Sequence, residues 1–377
     1  MFLFDTLLGI LCLTPTTTSI WCLFNLCAYL LCKNYEISYY LIPVIAYIIF
    51  GVHEFLAFFV VKEGLFPSDE RVRRIYEWAT IYLDRVKNVD LTEGFFNCDY
   101  QKSLEQATAD KYDEIIRLLG LSPGNNVLDV GCGQGDFLLH LKSKGINGVG
   151  LTISPNQRDL GISRGLDVRC LDFRQPLPKE LQGKFDAVIF MGCLEHFVQG
   201  YMKRADTLAV YNRAFRSAKE AISPFSKVKR VFSTTLHKNL KYRKWQLSDY
   251  FYAYLLHGFY SGSYPLEGHL QIACQPYFNT IYQYDASIDY QMSSIVSTNH
   301  FGLCKIDWTT PRLIYTLARF LVNPFELFTW LYYKCEAWMW QFGGRAIVPV
   351  NQRPCLTFWY VYQAVDKSEE NSQYVET

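Results

Sequence analysis

The sequence predicts an α/β protein built on a doubly wound parallel sheet, preceded by an N-terminal transmembrane hairpin. Three observations carry this. A glycine-rich turn joins a strand pattern to a helix pattern at Asn126-Val127-Leu128-Asp129-Val130-Gly131-Cys132-Gly133-Gln134-Gly135-Asp136-Phe137. Short apolar strand patterns then alternate with helix patterns through Thr235, the rhythm of a parallel sheet. The first 61 residues hold two long apolar runs.

Residues 1–65 read as two membrane helices, about 7–32 and 39–61. The second is long enough to span a hydrocarbon core with some tilt. Lys62, Arg71, Arg73 and Arg74 follow it, whereas Lys33 stands alone in the link, which places the large domain on the cytosolic side. The expected location is therefore a membrane, multi-pass through two helices. A buried hairpin in a soluble protein is the alternative. His53 and Glu54, inside the second run, read as a helix–helix polar contact or as a functional pair.

Residues 66–110 form a connector that ends in the N-terminal part of the site, with helical spacing from Glu70 to Val86. Ser103 to Leu119 reads as an amphipathic helix with Leu104, Ala107, Tyr112, Ile115 and Leu118 near one face. Ser122-Pro123-Gly124 turns into the first strand, Val127 to Val130. Later strands are Gly148 to Thr152, Asp167 to Cys170, Phe185 to Phe190 and Arg230 to Thr235. Helices are expected at Pro155 to Gly165 and Tyr201 to Ile222, and residues 366–377 read as a disordered tail.

The net charge of +1 implies no polyanion partner, and no nucleic acid is expected. Aromatic residues make up 16% of the chain, which suggests apolar surface that needs a partner or lipid. The 12 cysteines form no C-x-x-C pair, so reduced thiols are expected rather than a disulfide framework or a metal site.

Gly131, Gly133 and Gly135 supply a tight turn that a ligand can approach closely. Asp129 lies within the strand, so this is not the dinucleotide fingerprint with its acid about 20 residues further on. D-x-G-x-G-x-G after a strand resembles the cofactor loop of S-adenosylmethionine-dependent methyltransferases. Gly150-Leu151-Thr152-Ile153-Ser154-Pro155-Asn156-Gln157 resembles the G-x-T-L-S-x-x-Q stretch of cyclopropane-fatty-acyl-phospholipid synthases and mycolic acid cyclopropane synthases, a group that includes sphingolipid C9 methyltransferases. Asp172-Phe173-Arg174 and Leu194-Glu195-His196-Phe197 resemble two further motifs of the group. So does Asn97-Cys98-Asp99-Tyr100 followed by Leu104-Glu105-Gln106-Ala107. The resemblance covers roughly residues 90–365.

The resemblance implies a Rossmann-like methyltransferase domain, residues 111–365, with a helical lipid-binding cap. It implies S-adenosyl-L-methionine as cofactor, held by Asp129, Gly131, Gly133, Gly135, Thr152, Gln157, Asp172 and Phe173. Asp172 would accept from the adenine amino group, with Phe173 stacking nearby. The implied reaction is methyl transfer to an unsaturated lipid acyl chain, by cyclopropanation or C-methylation. A bicarbonate ion serves as base in the group, and Cys98, Glu195 and Tyr315 match three of its holders. Thr234 stands where the group has a histidine, and His237 substitutes only if the loop shifts. His196 is a further candidate. Taken alone, Cys98 also reads as a small hydrophobe, Glu195 and His196 as a helix cap, and Tyr315 as core. The implied partner is a lipid in a membrane, and a homo-oligomer stays open. A sphingolipid base, sterol or quinone substrate, or a non-catalytic cofactor-binding membrane protein, are the alternatives.

Overall fold

The computed structural model describes residues 70, 72–73, 76–77, 90, 92–99, 101–199, 202–239, 262–300 and 355–365. The chain divides into two compact units, residues 1–65 with 302–336 and residues 66–301 with 337–377; every described residue belongs to the second. The two apolar runs, His53, Glu54, Tyr315 and the tail lie outside the described residues. Among the described residues no helix is long and apolar enough to cross a membrane.

Helix α1 (Leu104–Leu119) begins where Ser103 accepts a hydrogen bond from the Gln106 amide at 3.1 Å. It ends at Gly120, whose φ of 67° suits a residue without Cβ. The apolar stripe is as expected at Leu104, Ala107, Tyr112 and Ile115, with Leu118 partly buried against the same layer; Leu119 completes it, and Lys111 is buried beside them. The α/β units follow as β1 (Asn126–Val130), α2 (Asp136–Ser143), β2 (Asn147–Thr152), α3 (Pro155–Ser163), β3 (Asp167–Cys170), β4 (Ala187–Met191), α4 (Arg204–Ala221) and β5 (Arg230–Lys238). Then come α5 (His269–Cys274), β6 (Phe278–Asp285), α6 (Ser287–His300) and β7 (Cys355–Ala364).

These strands form one seven-stranded sheet in the order β3-β2-β1-β4-β5-β7-β6. The first five are parallel, and β7 pairs antiparallel with both β5 and β6. The sheet is therefore mixed rather than wholly parallel. β5 runs past Thr235 to Lys238 because β7 supplies ladder partners along its whole length, down to the Lys238–Cys355 pair. Strand order reverses between β1 and β4, which opens a crevice at the carboxyl ends of the strands.

Alternation along the strands feeds two apolar layers. On one face Leu128, Val130, Val188, Phe190 and Val231 pack with Tyr211 and Phe215 of α4 and Leu270 of α5. On the other, Val127, Ile189, Phe232 and Trp359 pack with Ile115 and Leu119 of α1 and Phe137 and Leu141 of α2. Both layers close around the crevice and hold its loops in place.

Candidate active site

The glycine loop after β1 takes its shape from sterics. Gly131 has φ 76°, and a Cβ there would lie 2.6 Å from Cys193 Cβ in the turn after β4. Gly135 has φ 84°, and a Cβ would lie 2.6 Å from Leu166 Cδ1. Gly133 has φ 55° with nothing within 4 Å of a built Cβ, so the loop is open at its centre. Just before the loop, Asp129 is fully buried, and neither of its oxygens has a hydrogen-bond partner among the described residues. Burial, reinforced by the Asp90 charge and opposed by Lys111, lifts its pKa to about 7.

At the end of β2, Thr152 donates to Gln157 Oε1 at 2.6 Å and accepts from the Ser154 amide at 3.1 Å. This fixes the Gln157 amide and leaves its nitrogen as a donor that Thr152 does not use. After β3, Arg174 grips both oxygens of Asp172, at 3.0 Å from Nε and 2.7 Å from Nη2. Against the opposing effect of burial, those bonds hold the Asp172 carboxyl below the usual range. Phe173 is 3% exposed and meets Phe190 edge-on at 5.6 Å, so its ring is part of the core rather than an exposed stacking surface.

Glu195 sits in a short 3-10 turn, Leu194–His196, after β4. Its carboxylate accepts from Thr235 Oγ1 at 2.6 Å, and burial, opposed by that bond, raises its pKa to about 7. The Ser263 amide donates to the Glu195 carbonyl at 2.9 Å, and a Cβ on Gly262 would come within 2.6 Å of the same oxygen. The segment before α5 is thus seated on the Glu195 backbone. His196 Nε2 lies 2.6 Å from the Tyr76 hydroxyl, with the two rings edge-on at 5.1 Å.

Thr234 and Thr235 are neighbours in β5, so their side chains leave on opposite faces. Thr235 holds Glu195. Thr234 donates instead to Glu93, as does Trp359 Nε1. The Thr234 hydroxyl that the sequence suggested for a small anion is therefore committed to a carboxylate of this chain. His237 lies two residues beyond Thr235 in the same strand, fully buried, with Nδ1 3.1 Å from the Thr235 carbonyl. Burial lowers its pKa to about 3, so the ring is neutral. Cys98 is exposed with φ 64°. The turn before it is held at the α6 side, where the Phe96 and Asn97 amides donate to Asp289 Oδ1 at 2.7 and 3.2 Å. Among the described residues no contact joins Cys98 to Glu195.

Three features escaped sequence reading. Glu93 is buried at 3% exposure, and burial raises its pKa against Lys111, Thr234 and Trp359. Thr235 is the residue that orients Glu195. Lys111, wholly buried, pairs with Asp90 and lies 2.6 Å from Thr92 Oγ1, and the Tyr112 hydroxyl donates to Asp90 at 2.8 Å. The one available signal was an acid, Glu93, directly before the apolar Gly94-Phe95-Phe96. Asp90, Glu93 and Asp129 all feel the single Lys111 ammonium, and Glu195 lies close enough to interact with Glu93. The crevice therefore holds more buried acid than base.

Residues 81–256 match the family described as mycolic acid cyclopropane synthetase. Among curated relatives, cyclopropane mycolic acid synthase 2 of Mycobacterium leprae is 30% identical over 150 residues, which is 37% of this chain and 48% of the relative. The cyclopropane-fatty-acyl-phospholipid synthase of Escherichia coli K12 is 37% identical over 109 residues, 27% of each chain. The chain thus spans about half or less of the length of these relatives. In fold it is similar to a cyclopropane synthase from Mycobacterium tuberculosis, with TM-score 0.59 at 16% identity, covering 80% of this chain and 99% of that one. It is also similar to a coclaurine N-methyltransferase, with TM-score 0.54 at 18% identity, covering 75% and 78%. The fold is that of the S-adenosylmethionine-dependent methyltransferases.

Proposed function

We propose that this chain is an S-adenosylmethionine-dependent C-methyltransferase acting on an unsaturated acyl chain of a lipid. The observation that carries the reading is Asp129: a fully buried carboxyl with neither oxygen partnered among the described residues, beside an open glycine loop. Such a group calls for a donor beyond the described residues. The cationic amino-acid end of S-adenosylmethionine fits that requirement and the crevice's surplus of acid. When bound, this cofactor supplies an electrophilic methyl group on a sulfonium.

The chain's own residues divide the work. Asp129 receives the ammonium, while Gly131, Gly133 and Gly135 let the backbone approach. Gln157 Nε2 donates to a ribose hydroxyl, oriented by Thr152. Asp172 faces the adenine side with one edge already held by Arg174. Glu195 stands at the transferring end. The sulfonium methyl would offer the carbon to which an alkene π pair adds, a C–C bond forming as the C–S pair returned to sulfur. The Glu195 carboxylate takes the proton then lost from the added carbon or its neighbour, and the C–H pair closes a ring or forms a new double bond. A pKa near 7 suits a group that must take a proton and pass it on. Bicarbonate does not fit the described residues: Cys98 is exposed and Thr234 serves Glu93. No step is assigned to it.

The two apolar runs at 7–32 and 39–61 support a membrane hairpin, with the domain on the cytosolic side, which would bring the crevice to its lipid. The test is incubation of a membrane fraction containing the full chain with methyl-deuterated S-adenosylmethionine, followed by mass spectrometry of total lipid. Gain of CD2 in acyl chains reports loss of a methyl hydrogen, and gain of CD3 a retained branch. Label in a sphingolipid base, sterol or quinone would move the substrate. No label in any lipid would sink the reading.

A further inference from the structure

We propose that Glu93 is the residue that reads the sulfonium charge of the cofactor, so that the site tells S-adenosylmethionine from its neutral thioether product. This rests on the cofactor reading above. Glu93 is buried and fixed by two donors on different strands, Thr234 of β5 and Trp359 of β7. A carboxylate held this way cannot swing to solvent. Among the described residues the cation that acts on Glu93 is Lys111, which is already paired with Asp90. A further cation would therefore stabilise charge at Glu93, and the Asp129 carboxyl, unpartnered among the described residues, points independently to one in the crevice.

Placement separates the two acids. Asp129 is the last residue but one of β1, two residues before Gly131, where the amino-acid end of the cofactor would belong. Glu93 lies beside Thr234 in the middle of β5, level with the Met191 end of β4 and on the far side of β4 from β1. The stretch leading to it crosses the turn after β4: a Cβ on Gly192 would meet Thr92 Cγ2 at 2.7 Å. This turn also carries Glu195, with Gly262 and Ser263 packed on its backbone carbonyl, hence the transferring end. The rings around Glu93 complete an apolar wall, with Trp359 5.3 Å from Phe95 and 5.5 Å from Tyr284. In such a setting a carboxylate–sulfonium attraction is weakly screened. That attraction vanishes when the methyl group leaves, which also favours product release.

The experiment is calorimetric titration of the purified full chain with S-adenosylmethionine and separately with S-adenosylhomocysteine. Wild-type protein should prefer the charged ligand. Glu93→Gln should weaken S-adenosylmethionine by about tenfold or more and leave S-adenosylhomocysteine within about twofold. Equal weakening of both ligands, or no change in either, overturns the proposal. Should E93Q fail to fold, Thr234→Val keeps the carboxylate but removes one of its donors. It should shift the ratio of the two affinities by several-fold, and an unchanged ratio counts against the proposal. Failure of the wild-type chain to bind either ligand would instead sink the cofactor reading, and this inference with it.

Discussion

Cofactor affinity should depend on pH through Asp129, and the size of the effect follows from its burial. The ordinary carboxyl pKa of 3.8 is raised to about 7 in the folded chain. A cation binds the ionised form, so the apparent dissociation constant scales as one plus the protonated-to-ionised ratio. That factor is about 1.1 at pH 8, about 2 at pH 7 and about 11 at pH 6. Affinity should therefore fall about tenfold between pH 8 and pH 6 from Asp129 alone. Glu195, also near 7, steepens the fall if its ionisation is coupled to binding. Titration calorimetry at pH 7 in buffers of different ionisation enthalpy should register release of about half a proton for Asp129. The sign in the free protein is opposite: a raised acid costs stability as pH climbs from about 4 to 7, because the unfolded chain ionises first. Asp129→Asn should remove its share of the slope, and Glu195→Gln the remainder. A flat affinity profile from pH 6 to 8, or a full slope surviving in both variants, would refute the argument.

Three other outcomes are expected. Lys111→Met leaves Asp90 buried without its cation and should cost about 3–5 kcal/mol in urea unfolding, with a loss under 1 kcal/mol speaking against a structural ion pair. Gly131→Ala combines a positive φ with a 2.6 Å approach to Cys193, so cofactor affinity should drop at least tenfold. Gly124→Ala, with φ 89° and open space around it, is the control that carries strain alone and should leave affinity unchanged. His237 stays neutral down to about pH 3 while the unfolded chain protonates below 6.5. Its contribution to stability is thus present above 6.5 and is lost by up to about 1.4 kcal/mol per pH unit as pH falls toward 3. His237→Phe should flatten the unfolding profile over that window.

What local sequence settled is what local sterics settle. The strand–glycine–helix stretch at 126–137 is legible because a short, mostly apolar run leads into glycines that take left-handed conformations other residues avoid. Ser103 and Gly120 mark the ends of α1 for equally local reasons. Thr152, Gln157 and Ser154 lie within five residues of one another, so their network was readable as a motif. Glu195 was legible as a candidate, but its environment was not.

Tertiary structure decided whatever depends on register or on partners far along the chain. β7 meets β5 across more than a hundred residues, from Arg230 with Gln363 to Lys238 with Cys355, and no local pattern announces that pairing. The pairing turns Thr234 toward Trp359 and Glu93, and Thr235 toward Glu195. A slip of one residue in β5 would exchange those roles. It also brings a buried lysine, Lys111, against Asp90 and sends the ring of Phe173 into the core. Sequence alone therefore determined a nucleotide-type crevice and its glycine cradle. Only the packed sheet decided which carboxyls share that crevice, because burial and charge coupling are properties of neighbours in space rather than in sequence.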